Sequence, residues 1–330
     1  MLGDNPDSNI ADPGADNVGS LPAMTEHHLD DSAPQPFWDN SVTPRLTIEP
    51  GDTVVIECAE PIGQLTPKWT NDDLGRADPS LAHALTGSIA IAGAGPGDVL
   101  QVEILDIKHK GWGWSGHIPE FGLLADDFEH PYLRHWELDG DQCRFPVADI
   151  TIPAAPFPGV VGVALQEPGR LDTFPPRANA GNIDTKDLVA GSTAWLPVFV
   201  PGALFSIGDC HAAQGDGEVC GTGVESPMTV TARFDIRRDL DVTEVQIRRA
   251  APRRPIGGEV HIMTAHGPDL FESAQRATRY MIDWVMAEFG LTESDAYIIA
   301  SIAGDLHISQ IVDAPNWIVS MHMPLAIFGA

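Results

Sequence analysis

The residues best able to do chemistry lie between 181 and 225, in two clusters of acids, amides and imidazole. The first is Gly181-Asn182-Ile183-Asp184-Thr185-Lys186-Asp187; the second sets Asp209, His211, Gln214, Asp216 and Glu218 within ten residues, with Glu225 close behind. Between them the apolar run 198–207 reads as a buried strand able to carry both clusters to one place. Glycines around the second cluster permit positive φ between functional side chains. Phosphate binding is disfavoured, because the loop lacks a Walker-type lysine and its carboxylates would repel an anion. A solvated acidic turn is the competing reading, since Asp and Gly are turn residues. Against it, Phe205, Ile207, Ala212, Ala213, Val219 and Val224 draw the acids toward buried surface. Carboxylates and an imidazole held there need compensating charge, which a divalent cation supplies.

The elements that must position these groups read as mainly β. At 45–57 an alternating pattern on each side of Pro50-Gly51 predicts a β-hairpin, and at 88–107 a Pro96-Gly97-Asp98 turn again precedes a strand-forming run. Asp52 and Asp98 are then turn residues. Asp39 and His83 precede these strands and are further candidates for the site. Residues 109–180, rich in Gly, Pro, Trp and His, predict long loops around short strands. There Trp112, Trp114 and Phe121 either pack in the core or wall a small apolar pocket. Strands follow at 228–236 and 242–248, the latter leading into a basic patch at Arg248, Arg249, Arg253 and Arg254 that should pair with carboxylates internally or across a subunit contact. Helices are predicted over 269–289, with Asp269 and Glu272 as capping signal and Gly290 as stop, and over 292–303. Asp305 follows, with a capping role or a reach into the site. The expected organisation is an acidic disordered tail at 1–24, a β-rich portion at 25–225 with a sandwich-like core, and a smaller α+β portion at 226–330.

Composition bounds the function. The chain has 330 residues, 43% of them hydrophobic, enough for sizeable cores. No apolar run is long enough for a membrane helix, and no signal-peptide pattern opens the sequence, which points to a soluble, cytoplasmic protein. Cysteines 58, 143, 210 and 220 have neither zinc-finger spacing nor a disulfide pattern, in keeping with a reducing compartment. The net charge of −28, from 47 acids and 19 bases, disfavours nucleic-acid binding. So acidic a surface suits a high-salt cytoplasm, where the screening length at 1 M is roughly 3 Å.

Three long segments, GNIDTKDL (181–188), VFVPGALFSIGDCHAAQGDGEVCGTGVE (198–225) and AGDLHISQIVDAPNWIVS (303–320), together with WDNSVTPRLTIEPGD (38–52) and HALTGSIAIAGAGPGDVLQVEILDI (83–107), resemble the acetamidase/formamidase family. The resemblance implies a β-rich scaffold that hydrolyses a short aliphatic amide to carboxylate and ammonia, with a bound metal.

Amide hydrolysis needs an activated water, a polarised carbonyl and a proton for the leaving nitrogen. Asp209 and His211, two apart on a strand end, can converge on one ion from the same face. Asp184 and His83 are the additional ligand candidates. Glu218 is the candidate proton shuttle, with Glu225 in reserve; Asn182 and Gln214 are candidates for substrate hydrogen bonds and Lys186 for the oxyanion. The donor set suits zinc, and manganese, iron or calcium remain open. Two alternatives stand beside this: Cys210 as a nucleophile with Glu218 as base and Lys186 as electrostatic helper, and a non-catalytic metal-bearing β-sandwich that binds a small ligand. A homo-oligomer is expected.

Overall fold

The computed structural model describes residues 24–249, 258–312 and 314–329. The expected tail 1–24, except its last position, and Arg253 and Arg254 lie outside them. The fold is mainly β, with a small helical part toward the C-terminus. A six-stranded sheet runs in the order Glu26–Leu29, Thr53–Cys58, Met228–Arg237, Val99–His109, Ser192–Pro197, Gln246–Arg249. Its first pair is parallel and the others antiparallel. A five-stranded sheet runs Ala180–Asn182, Phe157–Gly162, Phe205–His211, Thr86–Ile91, Leu46–Ile48.

Alternation along these strands builds the sandwich. Val54, Ile56 and Cys58, Leu100 and Val102, and Met228, Val230, Ala232 and Phe234 are all buried on one side of the first sheet. They join a single core with Ile89, Phe205 and Ile207 of the second, and Phe205 meets Phe234 edge-on at 5.0 Å. Polar or half-exposed residues between them face outward, as an antiparallel sheet with one covered face requires.

The predicted hairpin at 45–57 is not formed. Leu46–Ile48 pairs parallel with Thr86–Ile91 in the five-stranded sheet, whereas Thr53–Cys58 lies in the six-stranded one. The turn between them, with Gly51 at φ 96°, crosses from one sheet to the other. Asp52 pins it by accepting hydrogen bonds from the backbone N–H of Thr25 and Glu49, with His27 Nε2 2.9 Å away. Thr86–Ile91 and Val99–His109 likewise divide between the two sheets, and Asp98 accepts from the Gly95 N–H in the connecting turn. A Pro-Gly turn between two amphipathic strands has the same local signature in either case. Which sheet each strand joins is decided by burial of both apolar faces against each other.

The helices form where the capping residues place them, over Leu270–Phe289 and Glu293–Ala303. Asp269 accepts from the Glu272 N–H, Gly290 ends the first helix at φ 68°, and Thr292 accepts from the Asp295 N–H. They cover the three-stranded sheet Val260–Gly267, Trp317–Pro324, Asp305–Gln310. A four-stranded sheet, Trp112–His117, Tyr132–Asp139, Gln142–Arg144, Thr151–Pro153, carries Trp114 toward the central strand. Among the described residues no helix is long and apolar enough to cross a membrane.

Candidate active site

The strand Phe205–His211 is buried along its whole length and delivers Asp209 and His211. Its ladder with Phe157–Gly162 pairs Cys210 with Pro158 and Gly208 with Val160, passing over Asp209 and Gly159. Asp209 there takes φ 51°, the left-handed region that L residues adopt at a cost. Gly159 is needed opposite it: a Cβ at that position would lie 2.5 Å from Asp184 Oδ1 and 2.9 Å from Asp209 Oδ2. The Gly159 carbonyl also accepts from the N–H groups of Ile183 and Asp184, fastening the first cluster to the same strand. Asp184 and Glu218 both have φ 42°. The backbone strain expected of the glycines therefore falls on three of the acids as well.

Five side chains converge. Asp184, His211 and Glu218 form one group, and Asp209, His211 and Glu225 another, each with ligand atoms within 4.8 Å of one another. His211 Nε2 is 3.0 Å from Glu225 Oε2 and 3.5 Å from Asp209 Oδ1, while His83 Nε2 is 3.8 Å from Asp209 Oδ2. Neighbours set the proton on each imidazole. Gln214 Nε2 donates to the Asp184 carbonyl, so its Oε1 accepts from His211 Nδ1–H at 2.7 Å. Thr173 Oγ1 donates to the Ala82 carbonyl and so accepts from His83 Nδ1–H at 3.2 Å. Both rings thus turn Nε2 toward carboxylates.

That arrangement leaves charge unanswered. Asp184 Oδ1, His211 Nε2 and Glu225 Oε2 are buried without a hydrogen-bond partner. Burial pushes Asp184 and Glu225 up to about 7, reinforced by the other carboxylates against the opposing pull of His211. Glu218 is driven well above the carboxylate range, first by burial and then by Asp184. Asp209 is also buried, yet His83 and His211 hold it below its usual value. Burial opposes a charge on His211, but Glu225 and Asp209 raise it well above the ordinary imidazole range. Without another cation the pocket must take up protons. A divalent ion answers the same need, and the donors gathered here, the His211 imidazole nitrogen and several carboxylate oxygens, fit one.

Lys186 does not serve this cavity. Its ammonium lies 2.9 Å from Asp216 Oδ1 and bonds Asp305, in a separate cleft that His307 also lines. Asp216 and Glu218 are two residues apart, but Gly217 at φ 96° turns the chain between them. Gln214 spends its amide on His211 and Asp184, a holding role in place of the expected substrate contact. Cys210 is not among the residues that line the cavity: it lies in the apolar core, where its bond to Cys58 and burial push the thiol well above the ordinary range. Asp39 binds the Ser41 N–H and hydroxyl, outside the site. Arg249 pairs with Asp187, and Arg248 lies over the Trp195 ring at 5.0 Å.

The sequence profile of the acetamidase/formamidase family matches residues 24–169 and 166–330. The chain belongs to the acetamidase/formamidase family. It is an amidohydrolase acting on linear amides. A putative formamidase of Schizosaccharomyces pombe is 27% identical over 88% of this chain and 88% of its own. An acetamidase of Mycolicibacterium smegmatis is 30% identical over 56% of this chain and 61% of its own. Among solved structures, an acetamidase from Bacillus halodurans has a TM-score of 0.65 at 30% identity, covering 92% of this chain and 98% of that one. A gamma lactamase from Delftia acidovorans shares the fold, with a TM-score of 0.85 at 23% identity over 92% and 94% of the two chains.

In this family member the acids open into a cavity of about 210 Å³. Asp184, Asp209, Glu218, Glu225, His83 and Asn182 line it, and no Lys or Arg does. Asn182 Nδ2 donates to the Phe174 carbonyl, which leaves Oδ1 as a buried acceptor with no partner. Residues the sequence reading missed shape the walls. Glu60 accepts from the N–H groups of Ile62, Gln64 and Leu65 and from the Trp114 indole, folding the 60–65 loop over the cavity. Thr173 and Gly159 act on His83 and the acids as described; nothing in the sequence marked either, since both lie in loop-like composition.

Proposed function

We propose that the chain is a metal-dependent hydrolase that converts a short aliphatic amide of the formamide or acetamide kind to carboxylate and ammonia. The observation that carries this reading is the buried set Asp184, Asp209, Glu218 and Glu225 around His211, with orphaned atoms on three members and no Lys or Arg in the cavity. Asp209, His211, Asp184 and His83 would hold the ion. Zinc suits the imidazole and carboxylate mixture, with manganese, iron or calcium as alternatives. Bound there, a divalent cation lowers the pKa of water from 15.7 to about 7 and polarises a carbonyl.

The chain's own groups do the rest. Asn182 lines the cavity, and its Oδ1, a buried acceptor without a partner, would accept an N–H of the substrate amide. Glu218, on the cavity wall, takes the proton from the attacking water and returns it to the departing nitrogen, a transfer usually worth 10²–10⁴-fold. Glu225 lines the same cavity and is the second group able to carry that proton; its Oε1 is tied to the Gly223 N–H. Lys186 has no part in this scheme.

The reading extends to a homo-oligomer in a high-salt cytoplasm. The charge of −28 supports the second point, and exposed Val260, Ile262 and Ile308 on the three-stranded sheet support the first. The test is Glu218→Gln: a fall of at least about 100-fold in ammonia release with metal content retained supports the scheme. Full activity with metal retained removes Glu218 from it.

A further inference from the structure

The cavity beside the acids holds more than formamide or acetamide needs. Its 210 Å³ has room for about seven waters at roughly 30 Å³ each. An amide group and one attacking water take up about four of these places, leaving room for about three or four acyl carbons. The lining matches that remainder. Apart from the four acids, His83, Asn182 and Thr222, every residue facing the cavity is apolar. Ile62, Leu74, Trp114, Ile118, Phe121 and Phe174 contribute the large side chains. Trp114 directs its indole N–H to Glu60, 3.3 Å away, and so offers the cavity its hydrocarbon body. Phe121, 45% exposed, meets Phe174 edge-on at 6.2 Å and forms a rim, while Leu74 is 2% exposed and closes the interior. Phe174 packs on His83 at 4.7 Å, which places the aromatic wall directly against the acid cluster. A charged acyl group finds no basic partner there.

We propose that the enzyme prefers amides with an aliphatic acyl group of about three or four carbons beyond the carbonyl over formamide and acetamide. This substrate class rests on the reading of the site as an amide hydrolase. Filling apolar space near the reacting carbonyl gains roughly fourfold per buried methylene when the gain is realised in the transition state.

The test measures kcat/KM for ammonia release by the full-length protein, with its metal as purified, on formamide, acetamide, propionamide, isobutyramide and isovaleramide. The expected result is a rise of about fourfold per carbon, close to sixtyfold from acetamide to isovaleramide. Values that are flat or falling from acetamide onward overturn the proposal and leave amide hydrolysis intact. Ammonia from none of the amides overturns the underlying reading instead. Ile118→Trp, which adds bulk from a half-buried position, should lower the ratio of isovaleramide to acetamide kcat/KM by about tenfold. Phe121→Ala at the exposed rim should shift acceptance toward longer acyl groups such as 3-phenylpropionamide. If both folded variants keep the wild-type ratios, the cavity is not the acyl site.

Discussion

Replacing Gln214 with leucine tests how the imidazole at the centre of the site is held. Gln214 is 3% exposed, accepts from His211 Nδ1 at 2.7 Å and donates to the Asp184 carbonyl at 3.0 Å. Leucine has similar bulk and keeps neither bond. His211 then loses the partner that fixes its protonated nitrogen and aims Nε2 at Asp209 and Glu225. A buried hydrogen bond to a group that carries charge is worth about 1.5–3 kcal/mol, which converts to about 10–150-fold in ion affinity. That range agrees with the 10–100-fold typical of groups that orient a metal-bound histidine. The assay is competition with a chelator of known affinity, alongside ammonia release at saturating ion and thermal unfolding of the ion-free protein. Affinity should drop 10–100-fold, with much of the activity recovered at saturating ion. Gln214→Glu retains the acceptor and should retain most of the affinity. Unchanged affinity in Gln214→Leu, with loss of thermal stability alone, would refute the reasoning and leave Gln214 a packing residue.

Three further outcomes follow from individual residues. Gly159→Ala places a methyl group 2.5 Å from Asp184 Oδ1 and 2.8 Å from the Asp209 carbonyl, so ion content and activity should fall together by at least about 100-fold, as read by elemental analysis and ammonia release. Cys210→Ser should keep activity within about threefold, and thiol alkylation should not abolish it, because the side chain lies in the core beside Cys58; the cost appears as lower stability, on the order of 1–3 kcal/mol for a buried hydroxyl. His117, 3% exposed and stacked on Tyr132, has its pKa held by burial at about 4 against 6.5 in an unfolded chain. Below pH 6.5 the unfolded state takes a proton that the folded state refuses. The stability from its neutral form is therefore complete above about pH 6.5 and lost progressively toward pH 4, up to about 3 kcal/mol. Denaturant titrations of wild type and His117→Gln across that range should show the wild type losing this amount relative to the variant; parallel curves would contradict it.

How far the site could be read from the sequence depended on where local pattern ends. Asp209 and His211 were legible because a strand's period of two puts them on one face, and the apolar run before them fixed that strand in the core. The two helices were legible from Asp269, Gly290 and Thr292, whose capping bonds are local. Lys186 was not. Its sequence neighbours Asp184 and Asp187 say nothing of Asp305, more than a hundred residues on, which together with Asp216 claims its ammonium. The split between Asp216 and Glu218 hangs on one backbone angle at Gly217, and the glycine alone does not reveal its direction. The hairpin expected at Pro50-Gly51 failed for a related reason: crossing between sheets is a choice made by the whole core. The cavity walls come from loops at 61–79 and 118–121 and from Phe174, which meet only in three dimensions.

The central claim is that a doubly charged ion answers the acids gathered around His211. The most direct measurement is elemental analysis of the purified protein combined with ammonia release before and after exhaustive chelation. The account expects a tightly held divalent cation, loss of turnover when it is stripped, and recovery when it is returned. Undiminished hydrolysis by protein shown to contain no such ion would contradict it.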